Sequence, residues 1–185
     1  FGEVKEDIGR AFGFAYGHKE NGAVFSHMAV MYANALLQRG FVREGYKALD
    51  ALYRQAADFE HSRIYPGLPE YFDDRGRGMY PYLTGSASWL LMTMVTEVCG
   101  VKGVYGDLSF EPKLVRELLD ENRRLEFWLT FAGVPLHICY RARQEQDLYT
   151  KVKGVTLDGE GMEGNVIPRD VLQAVRTERE IVLEV

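Results

Sequence analysis

The hydrophobic period changes once along this chain, near Gly103, and that change limits the possible folds more than any other feature. Before it, apolar residues recur at three- and four-residue spacing, the period of a helix that buries one face. After it, short runs alternate apolar with polar residues, the period of a half-buried strand. Helices first and strands second make an α+β chain rather than an alternating α/β one. The spacing predicts a helix over 26–38, with Ser26 as N-cap and Gly40 just past its end. A second helix is expected over 42–57, with Arg43, Glu44 and Lys47 on its wet side. A third, over 86–99 and closed by Gly100, is apolar nearly all round and is expected to be buried on most faces. Downstream, "LEFWLTF" (125–131) and "PLHICYRA" (135–142) flank a hairpin-like connection at Ala132-Gly133-Val134. "YTKVKGVTLDG" (149–159) alternates and ends on the turn pair Asp158-Gly159, and "EIVLEV" (180–185) reads as a final strand. The strand-bearing region reads as a β-sandwich or jelly-roll-like module.

The 185 residues suffice for one domain or two small ones with a substantial core. A formal charge of -5 gives no reason to expect nucleic acid or an anionic membrane as a partner. No stretch reaches the ~20 apolar residues of a membrane-spanning helix. Cys99 and Cys139 both sit in apolar runs and read as buried free thiols of a reducing, cytoplasmic compartment. His18, His27, His61 and His137 are scattered without ligand spacing, so no metal site is expected. The chain begins at Phe1 rather than Met, which fits a fragment.

Between the second and third helices lies a long connection, residues 58–85, rich in Tyr, Gly, Pro, Asp and Arg. A long aromatic and charged loop on a helical scaffold is more often functional than idle, and planar side chains suit the faces and hydroxyl edges of sugars. A well-packed connector is the plainer reading of the same residues. The up-down-up order of the helices puts the starts of the first and third at one end. The first start reads Phe25-Ser26-His27 and the third Leu83-Thr84-Gly85-Ser86. Free amides and the helix dipole make each start weakly positive. Gly85 lets an anion approach the backbone, Thr84 and Ser86 bring hydroxyls, and His27 brings an N–H donor. Ser and Thr are also ordinary helix caps. The combination points to an anion cradle, with phosphate as its ligand.

"KENGAVFSH" (19–27), followed by a helix and "LLQRGFVREGYKAL" (36–49), resembles the inverting glycoside phosphorylases of glycoside hydrolase family 94. These are the cellobiose, cellodextrin and chitobiose phosphorylases and their relatives. Their K-E-N-G-G-x-F-x-H stretch precedes a helix in the same way. "PYLTGSASW" (81–89) is similar to their P-[WY]-L-T-G-[ST]-A-x-W, "GDLSFEP" (106–112) to G-L-x-[IF]-x-P, and "VTLDGEGMEGNVIP" (155–168) to V-x-V-D-G-x-x-x-x-G-N-x-I-P. The four matches keep their order and cover nearly the whole chain.

The resemblance implies the closing part of an (α/α)6 barrel over 1–103 and a C-terminal jelly-roll-like β domain over 104–185. It implies phosphorolysis of a β-linked disaccharide or oligosaccharide, with inversion, to a sugar 1-phosphate. Inorganic phosphate is then a co-substrate, and no cofactor is required. By the same resemblance His27, Thr84 and Gly85, with Ser86 following, hold phosphate. Glu20 and Asn21 lie near the sugar subsites, and Glu70 and Tyr71 fall in the loop that shapes the acceptor subsite. Ala23 departs from the family's second Gly, and "YFDDRGRGMY" (71–80) does not match the corresponding loop, so the acceptor stays open. The family's general-acid Asp and a phosphate-binding arginine lie on an earlier part of the barrel. Neither Asp73 nor Asp74 replaces that Asp. The chain alone is therefore expected to hold half a site and to need an upstream barrel region. Apolar helix faces left without those neighbours are expected to be exposed, favouring a homo-oligomer. A non-catalytic carbohydrate-binding or regulatory fragment is the other reading.

Overall fold

The computed structural model describes residues 7, 9, 13–64, 67–81, 84–143, 148–175 and 177–185, the side chains of 148 and 149 excepted. Most helix falls in the first half of the chain and most strand in the second, with a small sheet among the helices and one short helix among the strands, a mixed composition consistent with α+β. Two compact units form, one up to Thr93 and one from Met94 onward.

In the first unit, α1 (Ser26–Gln38) and α2 (Val42–Ala57) pack as an antiparallel pair, and α1 also packs on α4 (Gly85–Thr93). Gly40 follows α1 at φ +83°, and the amides of Gly40 and Phe41 return to the carbonyls of Leu37 and Leu36, which closes the helix. Val30, Ala33 and Leu37 of α1 meet Val42, Leu49 and Leu52 of α2 in the core. Ser26 is not the N-cap. That position belongs to Phe25, whose side chain caps nothing, and Ser26 is the first helical residue, fully buried. The connection over 58–85 is not structureless. It holds a single turn, α3 (Phe59–Ser62), and two of the three strands of a small antiparallel sheet, β1 (Val24–Phe25), β2 (Tyr71–Phe72) and β3 (Gly78–Met79). Residues 65–66 and 82–83 of this stretch lie outside the described residues.

The apolar third helix departs from expectation in two ways. It begins at Gly85 and passes into a π-helical turn, Met94–Val98. Nor is it buried on most faces: Ser86 and Thr93 are buried, while Leu91 is 67% exposed. Met28 of α1 is likewise 64% exposed. The physical reason is local: within this unit α4 has α1 as its packing partner, joined by a buried hydrogen bond from Asn34 Nδ2 to Thr93 Oγ1 at 3.0 Å.

The second unit carries the strands β4 (Val101–Val104), β5 (Asp107–Phe110), β6 (Leu114–Val115), β7 (Arg124–Phe131), β8 (Val134–Arg141), β9 (Leu148–Tyr149), β10 (Gly154–Leu157), β11 (Glu160–Met162), β12 (Val166–Ile167) and β13 (Arg179–Glu184), with one short helix, α5 (Arg169–Gln173). The main sheet has the order β11-β10-β13-β8-β7, and its β8–β13 pair is parallel. The predicted hairpin is β7–β8, turning at Ala132-Gly133 with Phe131 opposite Val134. The single strand expected over 149–159 is instead β9 and β10, which join different sheets. Leu136, Ile138 and Tyr140 of β8 and Ile181 and Leu183 of β13 form the core beneath the main sheet, with Leu108 and Phe110 of β5 also fully buried. The Tyr140 hydroxyl donates to the Cys99 carbonyl.

Both thiols are free and buried. Burial pushes the Cys99 thiol up to about 12 and raises that of Cys139 as well. The thiolate is the reactive form, so at pH 8 neither cysteine of the folded chain reacts with a thiol-selective disulfide reagent. The expected result is fast titration of two thiols in denaturant and none on the same timescale without it. Rapid native labelling would contradict the burial.

Candidate functional site

β1 leads directly into α1, and β2 pairs with β1, with Phe25 opposite Tyr71. The Ser26 amide donates to the Glu70 carbonyl at 2.9 Å, which fixes the start of α1 against the segment before β2. The start of α4 is tied to the same segment, because the Ser86 hydroxyl donates to the Pro69 carbonyl at 3.0 Å. Two helix starts are thus held on consecutive residues, Pro69 and Glu70. His27 and Gly85 meet there. A methyl group built on Gly85 would stand 3.0 Å from His27 Cε1 and 3.2 Å from Nδ1, so the imidazole packs directly on the glycine backbone. His27 also lies against Trp89, ring centroids 5.7 Å apart.

An open pocket of ≈ 400 Å³ sits at this junction, lined by Phe25, His27, Met28, Met31, Glu70, Tyr80, Thr84 and Gly85. Its electrostatics follow from the backbone. The first-turn amides of α1 and α4 lack intrahelical acceptors by helical geometry, and neither first turn carries an acidic residue. Both dipoles therefore contribute positive potential with no carboxylate of their own first turns to cancel it. Two buried polar atoms at the α1 start, Ser26 Oγ and His27 Nε2, have no hydrogen-bond partner among the described residues. Such groups are costly to leave unmade. The Glu70 carboxylate on the pocket wall is neutralised by Lys19 Nζ at 2.8 Å. That ammonium also lies 4.1 Å from the centre of the Tyr80 ring, and the Glu70 hydrogen bond raises its pKa.

Of the eight residues named from the sequence, His27, Thr84, Gly85 and Glu70 line the pocket. The other four do not. Ser86 is fully buried; its hydroxyl is engaged by Pro69, and its amide donates to Thr84 Oγ1 at 3.2 Å. Thr84 Oγ1 lies 2.8 Å from Ser86 Oγ. Tyr71 is 2% exposed, packed on Phe25 and Tyr80, and forms the floor of the small sheet. Burial raises its hydroxyl pKa. Asn21 is buried, donating to the Phe14 carbonyl at 2.9 Å. Glu20 is exposed and lies off the pocket wall. Sequence reasoning missed Lys19 and Tyr80. Lys19 heads the first motif and Tyr80 precedes the second, so both were adjacent to the signal. Among the described residues no group of three or more His, Cys, Asp or Glu could hold a metal ion, and no helix is long and apolar enough to cross a membrane.

Asp73, which follows β2, has a structural task. Its buried carboxylate accepts from the amides of Arg75 and Arg77 at 2.9 and 2.8 Å and from Arg77 Nε at 2.8 Å. Burial opposes ionisation, but these donors outweigh it and hold the Asp73 carboxyl below its ordinary 3.8. A folded pKa below the unfolded one stabilises fully above about pH 4 and is lost as acid passes below the folded value. Asp73→Asn is expected to cost about 1.5–3 kcal/mol at pH 7 and distinctly less at pH 3. Urea midpoints at the two pH values check this, and an equal loss at both would refute it.

The pocket thus joins two helix starts, an imidazole and a carboxylate paired with a lysine. No family model matches the chain. It is similar to curated disaccharide phosphorylases. The N,N'-diacetylchitobiose phosphorylase of Vibrio proteolyticus is 27% identical over 177 residues, which are 91% of this chain and 21% of that protein. A cellobionic acid phosphorylase of Neurospora crassa is 25% identical over 126 residues, covering 60% of this chain and 16% of that one. The N,N'-diacetylchitobiose phosphorylase of Vibrio furnissii is 30% identical over 122 residues, covering 60% and 15%. The chain spans about a fifth of the length of these relatives or less. Among solved structures, a family GH92 α-mannosidase from Bacteroides thetaiotaomicron aligns with 95% of this chain and 19% of its own at 11% identity. Its TM-score of 0.37 supports no conclusion about architecture.

Proposed function

We propose that this chain is the phosphate-holding, C-terminal portion of an inverting glycoside phosphorylase that cleaves a β-linked disaccharide or oligosaccharide to a sugar 1-phosphate. The observation that carries the reading is His27 packed on Gly85 where two acid-free helix starts converge, with Nε2 unpartnered among the described residues. The names of the relatives support the reaction class. The unit up to Thr93 is then the last part of an (α/α)6 barrel, and the strand-bearing unit after it a jelly-roll-like β domain. The exposed apolar faces at Met28 and Leu91 would pack on the upstream barrel region or, in its absence, on a second copy.

In an inverting displacement the nucleophile and the acid stand on opposite faces of the anomeric carbon. A phosphate oxygen forms the new bond to that carbon as the glycosidic C–O bond breaks, and the leaving sugar oxygen takes a proton. Phosphate is already anionic, so this chain needs no strong base. Its task is to hold the anion in line, through the amides at the helix starts, Thr84 and His27. The general acid, an Asp, is supplied by the upstream region, and the reaction calls for no cofactor. Glu70, set by Lys19, faces the sugar. The enzyme works in the cytoplasm, where phosphate and sugar phosphates are abundant.

The test is phosphate-dependent release of sugar 1-phosphate from cellobiose, laminaribiose and chitobiose. The chain alone is expected to be inactive, and the chain joined to its upstream region active. Phosphate-independent hydrolysis by the joined protein would refute phosphorolysis.

A further inference from the structure

The second unit carries an aromatic group that the pocket does not use. Trp128 is 62% exposed on β7, the edge strand of the main sheet. It is opposite His137 in the β7–β8 register, and the two rings stack with centroids 4.5 Å apart and planes 7° from parallel. His137 has a carboxylate near each ring nitrogen, beyond hydrogen-bond distance. Glu126 Oε2 lies 3.6 Å from its Nε2, and Glu180 Oε1 of β13 lies 3.8 Å from its Nδ1. One face of the indole therefore lies on the imidazole, and the side chain is otherwise largely open to solvent. Strand alternation puts Glu126 and Thr130 on the same side of the sheet as Trp128, two residues to either side, and both are exposed. Arg124 Nη1 lies 3.8 Å from Glu126 Oε1, so the carboxylate is partly balanced.

A large ring held flat and left open is unusual on a strand, where cross-strand aromatic pairs normally bury both partners' faces. One indole backed by an imidazole is a platform rather than a cage, which suits a flat ring better than a compact cation. The neighbouring carboxylates repel anions and accept hydrogen bonds from hydroxyls. We propose that Trp128, Glu126 and Thr130 form a second carbohydrate-binding site, separate from the pocket at His27, that takes a neutral pyranose unit of an oligosaccharide. The apolar face of the sugar ring lies on the indole, and its rim hydroxyls donate to Glu126 and exchange hydrogen bonds with Thr130.

The experiment is an NMR titration of the 185-residue chain with cellotetraose and with tetra-N-acetylchitotetraose, following the indole N–H of Trp128, with that of Trp89, which lies against His27, reporting the pocket. A saturable shift of the Trp128 signal with at least one sugar, independent of any shift at Trp89, is expected. Trp128→Ala should weaken binding about ten-fold or more, and Glu126→Gln several-fold less, with Trp128→Phe retaining part of the affinity. His27→Ala should leave the titration unchanged, which separates this site from the proposed phosphate pocket. No shift with either sugar overturns the proposal, as does binding that survives Trp128→Ala. If Trp128→Ala lowers only the unfolding midpoint, the pair is a structural stack. If it converts a dimer to a monomer without altering sugar binding, the face is an interface between copies. Either result also overturns the proposal.

Discussion

In the phosphorylase proposed for the complete protein, His27→Ala is expected to lower kcat/KM for phosphate by about 10²–10³-fold, the loss typical of removing one preorganised donor to a developing anion. The size of the effect follows from the site. The imidazole is held by the Gly85 backbone and Trp89, and its Nε2 is buried without a partner among the described residues. A donor already held in place needs little reorganisation when the anion arrives, and no other imidazole of the described residues lines the pocket. The loss should appear in phosphate saturation, with sugar binding much less affected. Gly85→Ala provides an independent check. Its methyl group would press on Cε1 at 3.0 Å and must displace the ring, so a smaller loss in the same parameter is expected with the imidazole still present. Steady-state kinetics against phosphate decides the matter. Unaltered phosphate saturation in His27→Ala would show that the two helix starts hold no anion.

Gly100→Ala should strongly destabilise the second unit. Gly100 sits at φ +67°, a conformation that side chains rarely adopt, at the exit of the π-helical turn. Its carbonyl accepts from the Glu111 amide at 2.8 Å, and the pairing of Val101 with Phe110 begins one residue later. A methyl group there would lie inside the backbone of Glu111 and Pro112, which cannot rotate away as a side chain can. The β4–β5 ladder would have to open at its first pair. A cost on the order of 3 kcal/mol or more is expected from strain and lost packing together. Urea unfolding followed by circular dichroism measures it. Gly161→Ala is the control, since a methyl there meets no atom within 4 Å. Equal midpoints for the two variants would show that the close approach at Gly100 is not needed for stability.

Much of the fold was legible in the sequence because it depends on local periods. The first helix follows from apolar spacing over 26–38, and the β7–β8 hairpin from alternation on either side of Ala132-Gly133. The predominance of helix before Gly103 and of strand after it follows from the single change of period, while the small β1–β3 sheet among the helices does not. Other features depended on distant partners. The strand pattern over 149–159 does not reveal that β9 pairs with β6 while β10 pairs with β13. Ser26 looks like a cap by residue type, yet its amide is taken by Glu70, far along the chain, and the chain enters the helix one residue earlier.

At the pocket the division is similar. The sequence by itself determined which side chains are available at the two helix starts: the hydroxyls, the glycine and the imidazole are all written in short motifs. Tertiary structure decided which of them face the pocket. It turned Ser86 and Tyr71 inward, set Lys19 against Glu70 and seated His27 on Gly85. The physical reason is that residue type and period fix local conformation. Whether a polar group faces a ligand or a neighbouring carbonyl is settled only when segments far apart in the chain are packed and each buried donor takes the nearest acceptor.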